Sequence, residues 1–143
     1  MNNVEFIQKK INQSINQDFQ KQNIKFDIVK LRDALDQILK IRGFDTSLGI
    51  PHFAAIPLTQ IPGDPDSVKG NKARGVYWTK PDSSGQEVSR DVKIDESQYT
   101  EFIKEFEHTY FKEVFDELRK HYKLGRVRLL LKEPRSTLSW HRD

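Results

Sequence analysis

The chain has 143 residues, of which 31% are charged and 36% hydrophobic, with nine Phe, four Tyr and two Trp. That is enough apolar mass for one core of ordinary size and too aromatic a composition for a disordered chain. The 24 basic and 21 acidic residues are interspersed and leave a net charge of only +3, so no nucleic-acid partner is expected. With no cysteine, disulfides, thiolate metal sites and a Cys nucleophile are excluded. No apolar run approaches the roughly 20 residues that span a bilayer. The opening residues lack the basic start and apolar stretch of a secretory signal, so a cytoplasmic protein without a membrane partner is expected.

Residues 4–22 place Val4, Ile7, Ile11, Ile15 and Phe19 at spacings of three and four, a narrow apolar stripe on a polar helix. Residues 1–24 are read as this separate helix and 25–143 as a single α+β domain. In 30–42, Leu31, Leu35, Ile38, Leu39 and Ile41 predict a second helix, with Gly43 as its C-terminal cap. Residues 50–61 read as a short strand interrupted by Pro51 and Pro57, hence near an edge or bulge. Residues 62–75 are a loop by composition, 76–79 a strand, and 80–89 another loop turning at Pro81-Asp82-Ser83-Ser84-Gly85.

Asp95 and Gln98 stand at capping-box spacing, and Tyr99, Phe102, Ile103 and Phe106 follow at helical spacing. Thr109 is a candidate cap for a second helical stretch that buries Phe111, Val114, Phe115 and Leu118. One bent helix and two successive helices both satisfy this pattern. After Gly125 the period changes to two. Residues 126–132 form a strand with Val127, Leu129 and Leu131 on one face and Arg126, Arg128, Leu130 and Lys132 on the other. Residues 133–136 are a turn, and 137–143 alternate again. Thr137, Ser139, His141 and Asp143 share one face there, opposite Leu138, Trp140 and Arg142.

In a strand, residues i and i+2 project to one side, with Cα atoms roughly 6–7 Å apart. His141 and Asp143 can therefore converge on one cation, and imidazole plus carboxylate suits Fe(II). By itself the pair is equally a surface His and Asp. The triplet His141-Arg142-Asp143 is also spelled like the protein-kinase catalytic loop, but no Gly-rich phosphate loop precedes it and no Asp-Phe-Gly follows.

The stretch Gly125-Arg126-Val127-Arg128, through Pro134, to Ser139-Trp140-His141-Arg142-Asp143 resembles the start of the catalytic barrel in aspartyl/asparaginyl β-hydroxylase-like 2-oxoglutarate oxygenases, in particular their small phage and bacterial versions. Upstream, the early helix, the Pro-flanked strand Ala55-Ile56-Pro57-Leu58-Thr59 and the Thr109-Tyr110 helix start are similar too. The likeness spans about 25–143 and is specific over 125–143. It implies N-terminal helices packed on the beginning of a double-stranded β-helix, a jelly-roll-like barrel starting at about 125. It also implies His141 and Asp143 as the first two Fe(II) ligands. The activity implied is hydroxylation of an unactivated C–H bond, driven by decarboxylation of 2-oxoglutarate, on an amino-acid, peptidyl or small-metabolite substrate. The family takes a distal His and a 2-oxoglutarate-binding Arg from later strands. The chain is thus expected to be an inactive N-terminal portion with an incomplete barrel, open to self-association through exposed edge strands.

Arg126, Arg128 and Ser139 are candidates to hold 2-oxoglutarate, since guanidinium grips carboxylates bidentately. For the two arginines, ion pairing to a neighbouring Glu or Asp is the equal alternative. His52, His108 and His121 are candidates for a further ligand, each more simply read as structural. Trp140 is read as core and residues 69–74 as a solvated basic loop. The rival functional readings are a non-catalytic binding or accessory domain in which the His-x-Asp pair is incidental, and zinc or nickel binding without turnover.

Overall fold

The computed structural model describes residues 5, 7, 21–44, 53–69, 72, 77–79, 87–89 and 94–135. The fold is α+β. Among the described residues, helices α1 (Ile28–Ile41) and α2 (Tyr110–Arg119) accompany six short strands: β1 (Phe53–Pro57), β2 (Thr59–Gln60), β3 (Tyr77–Thr79), β4 (Glu87–Ser89), β5 (Glu101–Phe102) and β6 (Arg128–Lys132). The strands pair as three separate two-stranded antiparallel sheets, β1 with β6, β2 with β5 and β3 with β4. None of these closes into a barrel among the described residues.

The second predicted helix is α1, and it starts earlier than its apolar spacing indicates. Asp27 caps it, its carboxylate accepting from the backbone N–H of Val29 at 2.9 Å and of Lys30 at 3.2 Å, which satisfies two of the helix's orphan donors. Gly43 is not its cap. The helix ends because Arg42 turns extended at φ −150° while its N–H still bonds the Ile38 carbonyl, and the Arg42 side chain reaches Glu105. Of the predicted N-terminal helix, Glu5 and Ile7 are described, and both are helical.

Ile38 on α1, Ile56 and Leu58, Val68, the group Tyr99, Phe102, Ile103 and Phe106, and Phe115 on α2 form one core. Phe106 and Ile56 are wholly buried, and the Phe102 and Phe115 rings meet at 5.3 Å between centroids. The first half of the predicted helical stretch after Asp95 is not helical. It is a 3-10 turn (Glu96–Gln98), strand β5 and a second 3-10 turn (Lys104–Phe106). Backbone pairing overrides helical spacing here: Thr59 pairs with Phe102, and the Ile103 N–H donates to the Leu58 carbonyl at 2.8 Å. Asp95 still caps, but over a 3-10 turn, accepting from the Ser97 N–H. Thr109 stands at the N-cap of α2, yet its hydroxyl donates back to the Phe106 carbonyl at 2.8 Å.

Two loops read from composition contain structure. Residues Pro65–Val68 make a 3-10 turn that buries Ser67 and Val68. The Ser67 hydroxyl donates to the Asp64 carbonyl and accepts from the Ile61 N–H, and the Ser67 carbonyl accepts from the buried Tyr99 hydroxyl at 2.9 Å. Strand β4 lies within what reads as loop 80–89, in register with β3.

Glu101 fastens the β2 end to the following turn. Its Oε2 accepts from Gln60 Nε2 at 2.9 Å and from the Gly63 N–H at 3.0 Å, and the Gln60 and Gly63 hydrogen bonds hold its carboxyl below the ordinary value of 4.5. A carboxylate depressed in the folded state contributes stability that is complete above its ordinary value and is lost as pH falls through the lowered folded value. Chemical denaturation of the wild type and Glu101→Gln is therefore expected to show a wild-type advantage at neutral pH that disappears in acid. A gap unchanged by pH would refute the carboxylate's role.

Candidate functional site

The segment that carries the Gly-Arg-x-Arg pattern is held from both sides before it becomes a strand. Thr59 is wholly buried. Its hydroxyl accepts from the Val127 N–H at 2.8 Å and donates to the Gly125 carbonyl at 3.3 Å, while the Val127 carbonyl accepts from the N–H groups of Leu58 and Thr59. A hydroxyl is needed at this position because the Val127 N–H, facing a buried side chain, would otherwise lose its partner. Leu58 and Thr59 thus form the crossing at which the chain leaves the β1–β6 sheet for the β2–β5 sheet. On the opposite side, Gly125 lies directly against the backbone of the Glu96–Gln98 turn.

This packing draws the Arg126 side chain inward, to 2% exposure. Its Nη1 pairs with Glu96 Oε1 at 3.0 Å, its Nη2 donates to the Lys72 carbonyl at 2.9 Å, and its guanidinium stacks over the Tyr99 ring at 5.4 Å. The carboxylate that Arg126 grips is the protein's own. Arg128 is the first residue of β6, opposite Pro57 and half-buried. Val127, just before β6, and Leu129 on it pack on the core, whereas Leu130 (55% exposed) and Leu131 (38%) pass beyond it. After β6 the chain turns at Pro134 and Arg135, with Arg135 in the left-handed region at φ 61°.

His141, Asp143 and Ser139 lie outside the described residues, as do Trp140 and His52. His108 is exposed in the turn before α2 rather than on a helix. His121 follows α2, with its Nε2 3.4 Å from Glu117 Oε1. Among the described residues no three His, Asp or Glu side chains are grouped to hold a metal ion, and no helix is long and apolar enough to cross a membrane. In the basic loop, Lys69 pairs with Asp66 at 2.7 Å, and the Lys72 carbonyl serves Arg126.

One open cleft of about 300 Å³ is lined by Arg42, Gln60, Val68, Lys69, Ile103 and Lys104, among others. No spacing in the sequence announces it, because its walls come from the C-cap of α1, β2 and the 3-10 turns Pro65–Val68 and Lys104–Phe106. It shares no lining residue with the Arg126 cluster. No protein-family model and no curated protein sequence matches the chain.

Proposed function

We propose that the chain belongs to an Fe(II)- and 2-oxoglutarate-dependent oxygenase that hydroxylates an unactivated C–H bond of an amino-acid, peptidyl or small-metabolite substrate. The observation that carries this reading is the order of parts in residues 125–143. A Gly-Arg-x-Arg entry is followed by an antiparallel strand, then a turn at Pro134 and Arg135, then the alternating segment that ends in His141-Arg142-Asp143. The donor chemistry fits the metal, since one imidazole and one carboxylate leave room for a further protein ligand and for co-substrate and oxygen. Bound there, iron and 2-oxoglutarate would supply the oxidising chemistry, and the chain's residues would orient it.

In this reading His141 and Asp143 hold the metal, and Arg128 and Ser139 face the 2-oxoglutarate carboxylates. Arg126 fixes the entry to the strand through Glu96 and Tyr99. The double-stranded β-helix is part of the same proposal, with β6 as one of its strands.

The test is a paramagnetic titration. Mn(II), which accepts the same oxygen and nitrogen donors, is added while the ring protons of the four histidines are followed by NMR. Selective broadening of His141 is expected, reduced at least about tenfold in Mn(II) affinity by Asp143→Asn. Broadening spread equally over His52, His108, His121 and His141, or unaffected by that substitution, would overturn the assignment in favour of an incidental pair.

A further inference from the structure

The open cleft of about 300 Å³ has no lining residue in the 125–143 segment and stands apart from the oxygenase reading. The buried members of its lining, Val68 and Ile103, are apolar. The exposed members include three cations, Arg42, Lys69 and Lys104, against one carboxylate, Glu105. These charges are not equivalent. Arg42 and Glu105 form an ion pair and offset each other. Lys69 pairs with Asp66, but the two side chains are 71% and 72% exposed, and so exposed a pair holds its lysine only weakly. Lys104 is exposed and makes no ion pair among the described residues. The uncompensated positive charge of the cleft is therefore that of Lys104, with Lys69 released at small cost.

The walls are tied independently of any ligand. Gln60 is anchored to Glu101. The Pro65–Val68 turn is held by the Tyr99 hydroxyl on the Ser67 carbonyl, and the Arg42–Glu105 pair joins the end of α1 to the Lys104–Phe106 turn. We propose that this cleft binds a small organic anion, a carboxylate or phosphate head on an apolar body. The body covers Val68 and Ile103, removing apolar surface from water, and the head meets Lys104 and Lys69. An ammonium group is a point charge without the fork of a guanidinium, so the two lysines accept either head. The volume lies at the small end of ligand pockets, which limits the body to a short chain or a single ring. A cationic ligand is disfavoured, because the lining carboxylate is already committed to Arg42.

The test follows backbone amide shifts of the full chain by NMR during titration with hexanoate, hexyl phosphate and hexan-1-ol. Saturable shifts centred on Val68, Lys69, Ile103 and Lys104 are expected with the two anions, and weaker binding with the alcohol. Lys104→Gln is expected to weaken hexanoate binding about fivefold or more, with Lys104→Arg restoring it and the control Lys123→Gln leaving it unchanged. Whichever of the two anions binds more tightly identifies the head. Shifts spread over the surface lysines would overturn the proposal, as would hexan-1-ol binding as tightly as hexanoate. So would hexanoate affinity equal in the wild type and Lys104→Gln.

Discussion

Gly125→Ala is expected to destabilise the protein by about 2–3 kcal/mol, at the upper end of overpacking substitutions. A Cβ at this position would lie 2.5 Å from the Glu96 carbonyl oxygen, 3.1 Å from its carbon and 3.2 Å from the Ser97 Cα. All three are backbone atoms, so no side chain can swing away to make room. Relief requires either the Glu96–Gln98 turn or the 125–127 segment to shift, and both are held. The turn is capped by Asp95, and the segment is hydrogen-bonded to Thr59. The backbone of Gly125 is not left-handed, so the cost is steric and not torsional. Gly43, with nothing within 4 Å of an added Cβ, is the control: Gly43→Ala is expected within about 0.5 kcal/mol of wild type. Thermal melts of the two variants decide the matter, and equal midpoints would refute the close approach.

The second large effect concerns Glu96 and Arg126, and its asymmetry is the informative part. Glu96→Ala leaves a guanidinium that is 2% exposed without its carboxylate, and is expected to cost about 2–3 kcal/mol. The figure sits below the usual range for severing a buried ion pair because the Glu96 side chain is itself 39% exposed. Arg126→Met removes the buried charge and keeps an apolar stem on the Tyr99 ring, so it is expected to cost less, about 1 kcal/mol. Chemical denaturation of both variants measures the difference. If Arg126→Met proves the more damaging, the guanidinium's own bonds to Glu96 and Lys72 outweigh the penalty of burying it.

The two arginines of the Gly-Arg-x-Arg pattern illustrate how far a strand pattern reaches. Alternation puts Arg126 and Arg128 on one face, and both remain candidates for a carboxylate on that basis. What separates them is a turn 30 residues upstream: Glu96 meets Arg126 only because β5, which follows that turn, pairs with β2. Nothing in the local sequence distinguishes a guanidinium that will be drawn under Tyr99 from one at the start of a sheet strand.

The stretch after Asp95 shows the same limit from the other side. Tyr99, Phe102, Ile103 and Phe106 are all core residues, so their burial was readable, but the helical period assigned to them was not the one they adopt. Phe102 is brought to the interior by pairing with Thr59, and Phe106 by a 3-10 turn that closes on the Ile103 carbonyl. Short apolar spacings of three fit a 3-10 turn, a strand and a helix alike, and only the partner strand decides among them.

Sequence alone therefore determined the parts whose causes are local. These are the two helices with their apolar faces, strands within the stretches read at 50–61, 76–79 and 126–132, the absence of any cysteine chemistry, and the α+β class. It also supplied the His141 and Asp143 pair, whose geometry lies outside the described residues. Tertiary structure decided what depends on contacts between distant residues. It set β1 against β6, routed the chain between two sheets at Leu58 and Thr59, and buried Arg126 against Glu96. The physical reason is that helical caps and alternation are satisfied within a few residues, whereas a buried N–H or guanidinium accepts whichever partner the folded chain brings within hydrogen-bonding distance.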